Sequence, residues 1–215
     1  SVGAQVHFQV EHLNDSIEVF TTRPDTIFGV SFLVLAPEHE LVKRITFTEQ
    51  HDEVEQYLVS VTKKTDLERL AETKIVNGVF SGSYCIHPFS GKRIPIWIAE
   101  YVLIDYGSGA IMAVPSHDLR DQAFALKFGL PLLPVVDQSE FPNRKKKKKM
   151  GIIINSDFLN QMNVAEAIDA AILQIEAKKI GNRKLQYRMR DANFSRQRYW
   201  GEPFPIFYEN GIPKL

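Results

Sequence analysis

Two short polar stretches carry side chains able to do chemistry. TTRPDTIFGV, Thr21 to Val30, sets three threonines, an arginine and an aspartate close together and then runs into apolar residues. A strand that only filled a core would not carry so many hydroxyls and charges at its leading end. Such residues at a strand-to-turn junction can line a polar pocket, although ordinary turns use the same types. The second stretch is YGSGAIMAVPSHDLRD, Tyr106 to Asp121. Gly107 and Gly109 permit close backbone approach, AIMAVP reads as a strand, and SHDLRD as the turn into a helix. Asp118 and Asp121 are three residues apart and fall on adjacent faces of its first turn. A carboxylate there is a natural partner for an ammonium group, while an acid at a helix N-terminus also caps it. For Asp118 both readings stand. His117 has the chemistry of a general base and equally that of a hydrogen-bonded structural residue. With no second histidine at ligand spacing, no metal site is expected. Ser108 and Ser116 lack the glycine pattern of a nucleophile elbow.

These stretches need elements to hold them. QVHFQV (5–10) and IEVF (17–20) alternate around the turn residues LNDS (13–16), a hairpin signal. Val30 to Leu35 is apolar on both faces and predicts a central strand. Pro37 suits the first position of a helix through EHELVKRI. Val54, Tyr57, Leu58 and Val61 mark an amphipathic helix, with Thr46 and Glu49 at capping-box spacing. From Ile75 to Pro115, IVNGVF, SYCIH, RIPIWIA, YVLIDY and AIMAVP read as short strands punctuated by glycine. Asp118 to Phe128 reads as a helix stopped by Gly129. LPLLPVV and GIIIN read as further strands, and Asn163 with Glu166 as the boxed start of a helix carrying Val164, Ile168, Ile172 and Ile175, which GNRK ends. The resulting fold class is α+β, a compact barrel-like β-sheet core of short strands with peripheral helices.

Lysine plus arginine and aspartate plus glutamate both number 26. A net charge of zero argues against a chain that wraps nucleic acid by itself, so any such contact must be local. One cysteine, Cys85, excludes a disulfide framework and predicts a buried apolar residue. No apolar run approaches the length of a membrane span, and no leader pattern opens at Ser1. A cytoplasmic protein is expected. KKKKK at 145–149 reads as a solvated loop. Between Arg183 and Arg198 lie six cations and one anion, with Tyr187, Phe194 and the adjoining Tyr199 among them. Phosphate contact with aromatic support and a solvated strand edge are equally open there.

Together, TTRPDTIFG and YGSGAIMAVPSHDLRD resemble the editing domain inserted in leucyl-tRNA synthetases, and RDANFSRQRYWGEPFPI (190–206) resembles the return into the synthetase catalytic core. Isoleucyl and valyl relatives share the threonine-rich start and the glycine turn, whereas the AVP-x-HD-x-RD ending is similar to the leucyl branch. Ser108 stands where the family usually has threonine, Ser116 where a small residue is usual, and the lysine run is not a family feature. ATP-binding signatures of the HIGH and KMSKS kind are absent, so amino-acid activation is not expected of this chain. The resemblance divides it into an editing domain, 1–182, and a return segment, 183–215.

The activity implied is post-transfer editing, hydrolysis of the ester of tRNA-Leu misacylated with norvaline, isoleucine or a similar residue. Thr21, Thr22 and Asp121 form the implied catalytic set: the threonines contact the terminal ribose or the ester, and Asp121 binds the α-ammonium. Arg23 would hold the terminal adenosine or its phosphate. Thr26 would exclude leucine by a steric gate, and Met112 and Val114 would wall the amino-acid pocket. His117, Asp118 and Arg120 would shape the corner near Asp121. No general base is assigned. Editing would use no cofactor and no metal, ATP and magnesium belonging to the full-length synthetase. The implied partners are the tRNA-Leu 3′ end and the rest of the synthetase, with the chain a monomer. The alternative is a tRNA 3′-end binding module without hydrolytic activity.

Overall fold

Alternation in the first twenty residues produces the hairpin it predicts: β1 (Val2–Val10) and β2 (Ser16–Thr21) pair antiparallel, with Val6 opposite Val19 and Phe8 opposite Ile17. The structure is a computed structural model that describes residues 2–62, 76–105, 107–139, 150–186, 207–209 and 212–214. The lysine run and the 190–206 stretch lie outside the described residues.

The continuous apolar run gives β3 (Phe32–Leu35), every residue of it buried. Leu33 and Leu35 belong to one core cluster and Phe32 and Val34 to another, so both faces of the strand are covered. That requirement explains why the run does not alternate. β3 pairs parallel with β5 (Arg93–Ile98) and antiparallel with β6 (Ala110–Ala113). β4 (Val79–Ile86) joins β1 to β5, giving the order β2-β1-β4-β5-β3-β6. β9 (Gly181–Leu185) also pairs with β1 and completes a seven-stranded sheet. The fold is therefore mixed α/β around a large, mostly antiparallel sheet.

The expected barrel is an open sheet instead. Its outermost strands, β2 and β6, share no ladder, yet they approach within 8 Å between Cα atoms. The seam between these two edges is where the polar stretches meet.

α2 (His51–Thr62) buries Val54, Tyr57 and Val61 as its periodicity predicts. α3 (Leu119–Phe128) starts at Asp118 and stops at Gly129, whose φ of 66° is the left-handed conformation that ends helices without strain in glycine. Phe124 of α3 stacks on Phe32 with ring centroids 5.2 Å apart. α4 (Val164–Ala177) opens with the predicted capping box, Asn163 accepting from the Glu166 amide and Glu166 from the Asn163 amide. Cys85 is buried, and burial pushes its thiol pKa up.

Several sequence expectations fail for local reasons. Pro37 starts no long helix: residues 37–40 turn, and only α1 (Val42–Ile45) is helical. Thr46 is the C-cap of α1, its hydroxyl donating to Val42 O, and Phe47 rather than Thr46 stands at the N-cap of the 48–50 turn that leads into α2. IVNGVF and SYCIH merge into β4, with a register shift between Phe80 and Tyr84. YVLIDY forms no strand in its described part, residues 101–105, which turn after β5. LPLLPVV contributes only Val136 to a ladder, in β7 (Val136–Asp137), which pairs with β8 (Ile152–Ile153) inside GIIIN. Prolines at 131 and 134 remove donors that a longer ladder needs. GNRK is the start of β9 rather than a helix stop. Its cations pair at the surface, Arg183 with Asp169 and Lys184 with Glu18. Near the C-terminus, β10 (Phe207–Glu209) and β11 (Ile212–Lys214) form a separate antiparallel pair. Among the described residues no helix is long and apolar enough to cross a membrane.

Candidate functional site

β2 delivers Thr21 to the seam, and the chain then reverses through a 3-10 turn, Pro24–Gly29. Hydroxyls and charges make the reversal possible. Thr21 Oγ1 accepts from the Arg23 amide at 3.0 Å, a side-chain turn typical of threonine. Both the amide and the hydroxyl of Thr26 donate to Arg23 O, at 3.1 and 2.9 Å. Pro24 presets the first dihedral of the turn. Arg23 reaches over it to Asp25, donating from Nε at 2.9 Å and from Nη2 at 2.7 Å. Asp25 is fully buried, so this two-pronged pair fixes the guanidinium while leaving part of it accessible. Thr22 is exposed at the bend.

The opposite side comes from β6 and the start of α3. Gly109 enters β6 with φ 74°, a left-handed conformation that glycine adopts without strain. The Ser108 hydroxyl donates to Glu18 O, tying this turn to β2. After Met112 and Val114, both buried, the chain turns into α3. Asp118 caps that helix, accepting from the Arg120 and Asp121 amides at 2.9 and 3.4 Å. Arg120 Nε lies 3.7 Å from the Asp118 carboxylate. Capping and proximity to the site thus coexist in one residue.

Asp121 is the unusual acid. It is 6% exposed and accepts from the Val114 amide at 2.9 Å and from the Tyr101 hydroxyl at 3.1 Å. Burial first, and the neighbouring Asp118 charge second, push its pKa up to about 6, against the pull of those hydrogen bonds and of Arg120. The Tyr101 phenol is itself pushed upward, chiefly by burial and then by Asp121, and so stays a proton donor. His117 Nε2 accepts from the amides of Val135 and Val136, both at 3.2 Å. Its ring nitrogen therefore fastens the 135–136 segment, a structural use of the atom that a general base would need.

These two walls enclose a cavity of about 400 Å³, within the usual range for small-ligand sites. All ten residues singled out from the sequence line it: Thr21, Thr22, Arg23 and Thr26 from one side, Met112, Val114, His117, Asp118, Arg120 and Asp121 from the other. Phe20 and Ile111 also line it and were not anticipated; as apolar strand residues they carry no signal separating them from core. Asp25 and Tyr101, which hold Arg23 and Asp121, were missed as well. For Asp25 the Arg-x-Asp spacing in a turn was an available clue; for Tyr101, twenty residues from its partner, there was none. Among the described residues no group of three His, Cys, Asp or Glu side chains is placed to hold a metal ion.

Comparison with known proteins agrees with the motif reading. A family profile described as the editing domain of leucyl-tRNA synthetase matches residues 1–176. The chain belongs to this family. It is 52% identical over 221 residues to the leucine–tRNA ligase of Porphyromonas gingivalis, covering 99% of this chain and 24% of that protein. It is 50% identical over 216 residues to the leucine–tRNA ligase of Christiangramia forsetii, covering 100% of this chain and 22% of that one. A crystal structure of the ternary complex of Agrobacterium radiobacter K84 agnB2 LeuRS with tRNA and LeuAMS superposes with a TM-score of 0.70 at 31% identity, over 100% of this chain and 24% of that one. The chain thus spans about a quarter of the length of these relatives.

Proposed function

We propose that this chain carries out post-transfer editing, hydrolysing the ester between tRNA-Leu and a wrong amino acid such as norvaline or isoleucine. The observation that carries the reading is the cavity itself, in which the threonine turn and the buried Asp121 face one small space. Family membership and the tRNA in the related LeuRS complex support it.

In this reading Asp121, ionised above its pKa of about 6, binds the α-ammonium of the aminoacyl group. A cation would compensate a carboxylate that burial leaves poorly solvated. Arg23, held by Asp25, supplies a fixed cation for the terminal adenosine or its phosphate. Thr21 and Thr22 contact the ribose or the ester. Thr26, its hydroxyl committed to Arg23 O, acts through its position and excludes leucine by clash, with Met112 and Val114 as the apolar wall. One binding pocket separates side chains differing by a methylene by only about 1–3 kcal/mol, and a second, excluding pocket supplies the remainder. This double sieve is the known solution of the enzyme class.

An aminoacyl ester is already activated, so holding it against a positioned water contributes on the order of 100-fold per well-placed donor. His117 Nε2 is committed to backbone amides, so no proton is routed through it. Editing draws on no cofactor, and ATP and magnesium belong to activation by the full-length synthetase. We further propose that residues 183–215 lead back toward the catalytic core of a cytoplasmic, monomeric synthetase.

Deacylation of norvalyl-, isoleucyl- and leucyl-tRNA-Leu by this chain tests the reading. Clearance of the first two and not the third supports it. Salt-sensitive binding of all three without turnover would replace it with a tRNA 3′-end binding module.

A further inference from the structure

The 3-10 turn that carries Thr26 is longer than such turns usually run unsupported. Within it, Val30 N donates to Ile27 O at 3.2 Å. The second partner of that carbonyl comes from far along the chain: His87 Nε2 lies 3.0 Å from Ile27 O. His87 is 3% exposed and sits at the end of β4, outside the cavity lining. Its other nitrogen, Nδ1, accepts from the amides of Phe89 and Ser90 at 3.2 and 3.0 Å.

Two N–H groups aimed at Nδ1 leave no place for a proton there. The ring is therefore the neutral tautomer protonated on Nε2, and that proton points to Ile27 O. Burial, the largest influence, also lowers the pKa of the ring. Phe28, from the turn itself, packs on the imidazole at 5.6 Å, and Phe8 meets it edge-on at 6.4 Å. The turn after β4 thus orients the ring, and the ring holds the threonine turn one residue beyond Thr26.

We propose that His87 is a positioning residue for substrate discrimination, fixing the 3-10 turn so that Thr26 keeps its place in the cavity wall. This rests on the editing reading above, in which Thr26 is the gate. A ring that only closed the β4–β5 turn would need Nδ1 alone; the Nε2 bond is what reaches the site.

Two substitutions separate the two nitrogens. His87→Gln can keep an amide donor near the Nε2 position, whereas His87→Asn keeps an acceptor near Nδ1 and loses the donor. Amide hydrogen exchange at Thr26 and Val30 is measured with the ratio of norvalyl- to leucyl-tRNA-Leu deacylation. The expected result for His87→Asn is roughly tenfold faster exchange at Val30 and a roughly tenfold smaller ratio, the scale of one ordinary hydrogen bond. His87→Gln should keep both within about threefold of the parent protein. Unchanged Val30 exchange in His87→Asn, or equal losses in both variants, overturns the clamp. Faster exchange with an unchanged ratio overturns its role in discrimination. If the parent protein hydrolyses neither ester, the editing reading fails, and exchange alone decides whether His87 holds the turn.

Discussion

The two walls of the cavity solve opposite problems with similar residues. In the threonine turn the polar groups are satisfied from within: Thr21 and Thr26 bond the Arg23 backbone, and Arg23 is matched to a fully buried Asp25. In the wall formed by β6 and α3, Asp121 is buried, its hydrogen bonds among the described residues come from two neutral donors, and the repulsion of Asp118 outweighs the attraction of Arg120. One wall is a fixed shape and the other an unmet electrostatic demand. Discrimination by clash needs the first, because a wall that yields excludes nothing. Capture of an ammonium needs the second, because a carboxylate already paired would gain little from a new cation.

That contrast makes the walls separable by substitution. The largest effect is expected at Asp121. Asp121→Asn should slow deacylation of a misacylated ester on the order of 100-fold or more in kcat/KM, by removing the charge proposed to meet the ammonium. The same change should raise the melting temperature at pH 7 by several degrees, since holding this carboxylate ionised, with its pKa near 6, costs the fold about 3 kcal/mol. Calorimetry showing a loss of stability would contradict an unmet charge. On the other wall, Thr26→Ala should accelerate leucyl-ester hydrolysis by about 100-fold while changing the norvalyl rate only a few-fold. Single-turnover deacylation reads both.

Asp25→Ala comes next. Removing one partner of a buried pair costs about 3–5 kcal/mol, and the partial exposure of Arg23 puts this case at the low end. Chemical denaturation should show that loss, and KM should rise more than kcat falls because the guanidinium is no longer fixed. The smallest effect is in pH. The Asp121 pKa is raised from 3.8 to about 6, so between those values the folded state binds more protons than the unfolded one. This group's contribution is favourable below pH 4 and lost as pH rises through 6. Deacylation runs the other way, increasing up to and through pH 6 as the anchor ionises. A pH-rate profile flat across that range would remove Asp121 from the ammonium site.

Legibility in the sequence follows the same division. Local signals held: the β1–β2 alternation, the two-faced β3, the Asn163 box and the Gly129 stop all act over a few residues. Ten of the twelve cavity residues were legible because they cluster in two motifs, while Phe20 and Ile111 read as ordinary strand residues. What escaped was long-range support. Tyr101 reaches Asp121 from a turn whose residues look like a strand, and His87 reaches Ile27 from sixty residues away. Thr46 shows the reverse error: the capping spacing is present, but Thr46 ends α1 and Phe47, which offers no side-chain cap, stands at the N-cap of the turn into α2. The barrel expectation failed because sequence alternation sets the faces of strands and not whether β2 and β6 pair.

The most direct test of the division of labour is a double-variant cycle, Thr26→Ala with Asp121→Asn, read on leucyl- and norvalyl-tRNA-Leu. In the Thr26→Ala background both esters should be hydrolysed, and adding Asp121→Asn should slow them by the same factor. A change in the ratio of the two rates on adding Asp121→Asn would show that anchor and gate are one device, contradicting a division of labour between the two walls.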